Sequence, residues 1–270
     1  MTTRIISGAV LILILIAVLI LGGFFPWVLT SFVALVAAIA CYEILNNTKI
    51  VKNKAVTLLG CLYSVISIFA YAGYTAKIWS GLNNTFITVI YAVLIVFLSL
   101  KLHKTMGLSS IAAALAFPIV LSFAFSTVSS LYLRENGVFY LLLLLNFSSI
   151  CDCGAYFTGV FFGNKKLCPE ISPKKTVEGA LGGIVFSLVF SLIFCLCFAK
   201  FKEIIPVLAV TLPFCIIGMC GDLFASVIKR SVNLKDYGNL IPGHGGILDR
   251  FDSILLIAPV LALCIDGGLF

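Results

Sequence analysis

The chain has 270 residues, of which 61% are hydrophobic and 11% charged, with a mean hydropathy of +1.18 and a net charge of +7. An ordinary soluble domain carries roughly 45–50% apolar and about 25% charged residues, so this composition excludes one. No long polar block could form a separate soluble domain, and all 270 residues read as a single polytopic membrane domain.

A spanning helix needs ~20 mostly apolar residues. The first apolar run, Ile5–Leu21, follows Arg4 much as a signal peptide would. It exceeds the ~7–15 residues of a signal h-region, and no small-x-small cleavage site follows, so it reads as a retained span over 4–22. Further spans are expected over 26–45, 55–74, 84–101, 108–130, 137–162, 177–199, 204–229 and 250–268. The expected fold is therefore an all-α integral membrane protein with about nine transmembrane helices.

Nine spans divide the loops into two alternating sets. One set holds Arg4, Lys49, Lys52, Lys54, Lys101, Lys104, Lys165, Lys166, Lys174, Lys175, Lys229, Arg230, Lys235 and Arg250, which is 14 of the 18 basic residues. The other holds Lys77, Arg134, Lys200 and Lys202. The positive-inside bias puts the larger set, and with it the N-terminus, in the cytoplasm, and the C-terminus outside. Topology thus accounts for most of the positive charge, and no nucleic-acid partner is needed. The ten cysteines lie mostly within apolar runs without any C-x-x-C pair, and a buried free Cys behaves as a small hydrophobe.

The acidic residues are more informative. Of 11 carboxylates, only Glu43 and Glu135 precede residue 150. Asp152 and Asp222 sit in or near expected spans, where an acid costs about 2.5–3.5 kcal/mol and usually faces a polar cavity or a partner. An interhelical hydrogen bond is the bland alternative. At helical spacing Asp152 shares a face with Ala155, Tyr156, Gly159 and Gly163, and Asp222 with Gly218, Ala225, Ser226 and Lys229. Such small-residue stripes let helices approach closely or leave room for a ligand.

The loop "GNLIPGHGG" cannot be helical, because Pro242 and its glycines forbid it. Glycine-rich backbone can present several N–H groups to one anion, although Pro-Gly turns are common. In "LDRFDSILL", Asp249 suits an N-cap with Asp252 at N3, and equally a metal ligand. As a cap, it should tolerate Asn without loss of stability. In the other loop, "GNKKLCPEISPKKTVEGALGG", Thr176 is a plausible N-cap with Glu178 in the first turn. Both loops lie on the side assigned to the cytoplasm, each beside an intramembrane Asp, and are read as one site. Hard divalent cations take oxygen ligands, usually one or two carboxylates plus substrate phosphates, while Lys and Arg neutralise further phosphate charge. The substrate is accordingly a cytoplasmic polyphosphate reacting with a group reached from the bilayer. An ion-coupled transporter is the runner-up, but paired Gly/Pro-broken spans in two repeating halves are not evident.

The run Ser226–Asp252, "SVIKRSVNLKDYGNLIPGHGGILDRFD", resembles the signature of the phosphatidate cytidylyltransferase (CDP-diacylglycerol synthase) family. Its specified positions are met at Ser226, Ile228, Lys229, Arg230, Lys235, Asp236, Gly238, Ile241, Pro242, His244, Gly245, Gly246, Ile247, Asp249, Arg250, Phe251 and Asp252. The block "DCGAYFTGVFFGNKKLCPEISPKKTVEG" (152–179) is similar to the upstream family block, with Cys153 where Thr or Ser is usual and without the usual preceding Trp.

The resemblance implies a multi-pass enzyme of the cell (inner) membrane, its active site facing the cytoplasm. Such an enzyme makes CDP-diacylglycerol and pyrophosphate from CTP and phosphatidic acid of the bilayer, in phospholipid biosynthesis. It implies Mg²⁺, or two cations in a two-metal clamp, held by Asp222 and Asp249. Lys229, Arg230, Lys235 and Arg250 become candidates for the phosphates, and Gly245–Gly246 backbone for lining the nucleotide, with His244 as hydrogen-bond partner. Asp152, Lys174, Lys175 and Glu178, with Ser226, Asp236 and Asp252, would complete the substrate site. The chain then divides into amino-terminal spans over 4–130 and a catalytic part over 137–268. Self-association into a homo-oligomer is left open. A CTP-dependent lipid kinase is the neighbouring alternative; it would release CDP.

Single cysteines at Lys166 and Asn239 in a cysteine-free background are expected to react with impermeant reagent from the cytoplasmic face alone. Labelling of either from the opposite face would break the assignment of both loops to one side.

Overall fold

The structure is a computed structural model that describes residues 2–25, 27–78, 84–198, 200–243 and 245–269, with backbone alone for residues 2–5. Among the described residues ten α-helices run in chain order: α1 Thr2–Phe24, α2 Trp27–Tyr42, α3 Lys54–Thr75, α4 Asn84–Lys101, α5 Leu108–Tyr132, α6 Gly137–Leu145, α7 Cys151–Phe162, α8 Val177–Cys197, α9 Ile204–Ser231 and α10 Leu248–Asp266. Helices α6 and α7 are one span joined by a wide π-type turn, Asn146–Ile150, and a second such turn, Glu43–Asn47, ends α2. Eight helical segments among the described residues are long and apolar enough to cross a membrane. Each coincides with an expected span. The ninth, α10, opens on Asp249, Arg250 and Asp252 before its apolar run. Residues such as Leu108 and Ile205 are 84% and 80% exposed, a surface suited to lipid rather than water. The protein is thus a multi-pass, all-α membrane protein.

One stretch read as loop has regular structure. Residues Lys166–Cys168 (β1) and Ser172–Thr176 (β2) pair as a short antiparallel hairpin, with Lys166 opposite Thr176 and Cys168 opposite Ser172.

The chain forms two compact units, Met1–Glu135 with Leu234–Phe251, and Asn136–Asn233 with Asp252–Phe270. The boundary between Glu135 and Asn136 lies between α5 and α6. The loop 234–251, however, belongs with the amino-terminal helices rather than with the carboxy-terminal part, because side chains of α1 and of the turn after α2 hold its backbone.

In the first unit α2, α3 and α5 pack on one another, with α4 against α3 and α1 against α2. Gly60 permits the approach: a Cβ there would stand 3.1 Å from both Leu45 and Pro118. Hydroxyls stitch the helices, as lipid-embedded bundles do. Thr30 and Ser129 share a hydrogen bond of 2.7 Å, as do Tyr63 and Thr88 at 2.8 Å.

In the second unit α7 lies along α8, and α8 against α9. The stripe on α7 forms this crossing as expected, through Gly159 and Ala155 together with Gly154. A Cβ at Gly154 would come within 2.6 Å of Phe186, and one at Gly183 within 2.6 Å of the Cys151 carbonyl. Tyr156, from the same stripe, points outward at 67% exposure. Deeper in the unit, Asn146 Nδ2 donates to the Ser187 carbonyl (3.0 Å) and to Ser191 Oγ (2.8 Å), and Ser191 Oγ shares a hydrogen bond with Thr211 Oγ1 (2.9 Å). Gly218 and Gly221 of α9 bring that helix against α10: a Cβ at Gly218 would meet Ile257 at 2.8 Å, and one at Gly221 the Asp252 carbonyl at 2.9 Å.

Gly183→Leu should separate α7 from α8, since overpacking of this kind costs about 1–3 kcal/mol or more where backbone is the obstacle. A lowered melting temperature in detergent checks this; Gly23→Leu, which has open space at its Cβ, should leave it unchanged.

Candidate active site

The first unit contributes the loop Leu234–Ile247 and the opening turn of α10. Loop and turn are organised around two carboxylates. Asp249 is buried, and its Oδ2 accepts the backbone N–H groups of Tyr237 (2.8 Å) and Gly246 (3.0 Å). Glu43, 3% exposed at the end of α2, accepts the N–H of Ile247 on Oε1 (3.0 Å) and that of Leu248 on Oε2 (2.9 Å). Asn47 Nδ2 donates to the Tyr237 carbonyl (2.7 Å), and Ser7 Oγ to the Pro242 carbonyl (3.0 Å). The Ile241 N–H reaches the Gly245 carbonyl (2.9 Å) and closes the turn, where Gly243 and Gly245 take φ of 78° and 83°. Those left-handed values favour glycine.

These bonds change the reading of three features. Asp249 is not the N-cap of α10: the helix begins at Leu248, so Asp249 lies inside its first turn and its carboxylate closes the loop before it. The first N–H groups of a helix need acceptors, and here Glu43 supplies them from another helix. Among the loop glycines, the N–H of Gly246 points to Asp249, and those of Ile247 and Leu248 point to Glu43. Gly246 is needed for room, because a Cβ there would fall 2.6 Å from Glu43 Oε2. Lys235, Asp236 and Arg250 are exposed around this loop. His244 lies outside the described residues.

The second unit gathers the remaining candidates. Asp222 on α9 forms an ion pair through Oδ2 with Nζ of Lys175 on β2; the two side chains are 25% and 24% exposed. Lys229, two turns after Asp222, is buried. Asp252 on α10 is buried and accepts the Ser253 N–H on Oδ1 (2.8 Å). The charges that act on Asp252 include those of Asp222, Lys229 and Asp152. Carboxylates from α7, α9 and α10 thus share one electrostatic environment with a lysine. Ser226 is half-buried on α9, and Arg230 and Lys174 are exposed.

Two residues of this unit hold the hairpin. Thr176 is the N-cap of α8, as expected, accepting the Gly179 N–H on Oγ1 at 3.1 Å. Glu178 accepts the N–H groups of Asn164 and Lys165, each at 3.1 Å on Oε2. Its carboxylate therefore ties the end of α7 to the start of α8 and presents Lys174 and Lys175 between them.

Among the described residues no three or more His, Cys, Asp or Glu side chains converge as a cation cage. Mg²⁺ is bound mainly through one or two carboxylates, waters and substrate phosphates, without a dedicated protein cage. Asp222, an oxygen-only donor whose charge also acts on Asp252, fits that chemistry. Sequence reasoning missed Glu43 and Asn47. The signal that could have found Glu43 is its rarity as one of two acids before residue 150.

The sequence matches the cytidylyltransferase family over residues 2–266. It is 33% identical over 265 residues to a phosphatidate cytidylyltransferase of Staphylococcus haemolyticus, covering 97% of each chain. It is 33% identical over 264 residues to that of Bacillus subtilis, covering 97% of this chain and 96% of the relative. A Staphylococcus aureus phosphatidate cytidylyltransferase is 32% identical over 264 residues, again with 97% of each chain.

Asp249→Asn should destabilise the loop, contrary to the expectation for a cap, because the two N–H groups lose a charged acceptor and hydrogen bonds to charged groups contribute about 1.5–3 kcal/mol. Faster amide exchange at Tyr237 and Gly246 in this variant is the expected outcome.

Proposed function

This chain belongs to the cytidylyltransferase family, and on that premise we propose that it makes CDP-diacylglycerol and pyrophosphate from CTP and phosphatidic acid, for phospholipid biosynthesis. The supporting observation is the joint placement of Asp152, Asp222 and Asp252 with Lys175 and Lys229. A phosphate monoester has a second pKa of about 6 and is mostly ionised at neutral pH. Attack by its oxygen on the α-phosphorus of CTP needs no strong base; the P–O bond to the β-phosphate breaks and pyrophosphate leaves. The difficulty is bringing two polyanions together, which cationic clamps relieve.

Lys175 and Lys229, with Arg230, Lys174, Lys235 and Arg250, supply that cationic charge. Asp222 and Asp249 are proposed as the carboxylates for Mg²⁺, or for two cations, which when bound would neutralise the phosphates and the leaving group. Ser226, Asp236, Asp252, His244 and the Gly245–Gly246 turn shape the substrate site, and Asp152 adds to its field. Glu178 positions the hairpin that carries Lys174 and Lys175. The proposed setting is the cell's inner membrane, with the N-terminus and the active site on the cytoplasmic side, the C-terminus outside, and no nucleic-acid partner. Homo-oligomer formation is compatible with the reading but is not required by it.

Purified protein given Mg²⁺, labelled CTP and phosphatidic acid should release pyrophosphate and form CDP-diacylglycerol. Phosphorylation of diacylglycerol with release of CDP would replace this reading with a lipid kinase. Asp222→Asn should remain folded, lose most turnover and respond less to Mg²⁺ in titrations at fixed CTP; an unchanged Mg²⁺ response would remove Asp222 as a ligand.

A further inference from the structure

We infer that Glu43, together with Asn47, is the positioning element for the signature loop: a carboxylate delivered by the second span fixes the start of α10, and with it Asp249, for cytidylyl transfer. The inference rests on the reaction proposed above. Four observations converge on it. Both oxygens of Glu43 accept loop N–H groups, at 3.0 and 2.9 Å, and these belong to the two residues immediately before Asp249. Glu43 as a residue is 3% exposed, so it is not a solvated acid that happens to lie nearby. Two glycines of the signature, Gly238 and Gly246, leave no space for a Cβ beside the Glu43 carboxylate; at Gly246 it would stand 2.6 Å from Oε2. One turn further on, Asn47 holds the carbonyl of Tyr237, whose own N–H goes to Asp249.

These contacts form a closed chain. Glu43 sets residues 247 and 248, the next residue is Asp249, Asp249 sets Tyr237 and Gly246, and Asn47 sets Tyr237 from the other side. The wide turn Glu43–Asn47 lets both side chains leave α2 toward the same loop. Such π-type turns are frequent at functional sites. A carboxylate at a helix N-terminus is also favoured by the helix dipole. The role is one of orientation, since Glu43 acts through the loop rather than on the reacting phosphates. Displacing a reacting group by ~1 Å can cost about a hundredfold in rate.

Glu43→Gln keeps the size of the side chain and one acceptor oxygen, but places an NH₂ group against an N–H donor. Measured on full-length protein in detergent, it should stay folded, and amide exchange at Ile247 or Leu248 should rise about tenfold. Its kcat per folded molecule should fall about a hundredfold, with the KM for phosphatidic acid little changed. Glu43→Ala should be more severe on both readouts, and Asn47→Ala milder. A purely structural role predicts loss of activity only in proportion to lost folded protein. Glu43→Gln that unfolds, or that keeps kcat within twofold, overturns the inference, as does unchanged exchange at both amides. Exchange is read without substrate, so a failure of the proposed reaction in the wild type is distinguishable from a failure of the tether.

Discussion

A buried carboxylate meeting the bare amino end of a helix governs the first unit. Helix α10 begins directly after a glycine-rich loop, and its leading N–H groups have no acceptor within the helix. Glu43 satisfies two of them, at 3.0 and 2.9 Å. Burying an acid is costly unless it is hydrogen-bonded, and the helix end is costly without an acceptor, so each resolves the other. The loop must then pass close enough for backbone to touch the carboxylate, which leaves only glycine at 238 and 246. Gly238 and Gly246 of the signature are in this sense a consequence of Glu43, whereas Gly245 answers to its left-handed φ.

The second unit depends on proximity rather than on charge. Helices α7 and α8 cross through facing glycines, so the hairpin between them is short and its ends are fixed by Thr176 and Glu178. Rigid helix ends place Lys175 against Asp222 without a long flexible loop. The Asn146–Ser187–Ser191–Thr211 network secures the same helices where lipid supplies no hydrogen-bond partner. Interhelical hydrogen bonds of this kind are individually modest, about 0.6–2 kcal/mol, and act together with the packing.

The electrostatics follow from the chemistry inferred for the chain. Joining two phosphate-bearing substrates calls for positive charge, yet several acids stand beside the lysines. Lys175 and Asp222 compensate one another as an ion pair, and Asp252 lies in the field of both Asp222 and Lys229. Paired charges of this sort can be kept near a membrane at lower cost than isolated ones.

Much was legible in the sequence. Span positions follow from runs of apolar residues, because a bilayer imposes a length that one-dimensional reading detects directly. The Thr176 cap and the stripe Ala155–Gly159 were equally readable, since caps and faces are set by neighbours within one turn. The family followed from a dense local signature over Ser226–Asp252. The sequence could not decide what Asp249 binds, because a cap, a ligand and a loop clamp have the same local pattern. Nor could it show that the loop 234–251 joins the amino-terminal unit, or that Glu43 reaches residues 247 and 248. Those partners lie 204 and 205 positions away. Only the tertiary structure decides which distant N–H a buried carboxylate meets, because that depends on how helices pack and not on the order of residues.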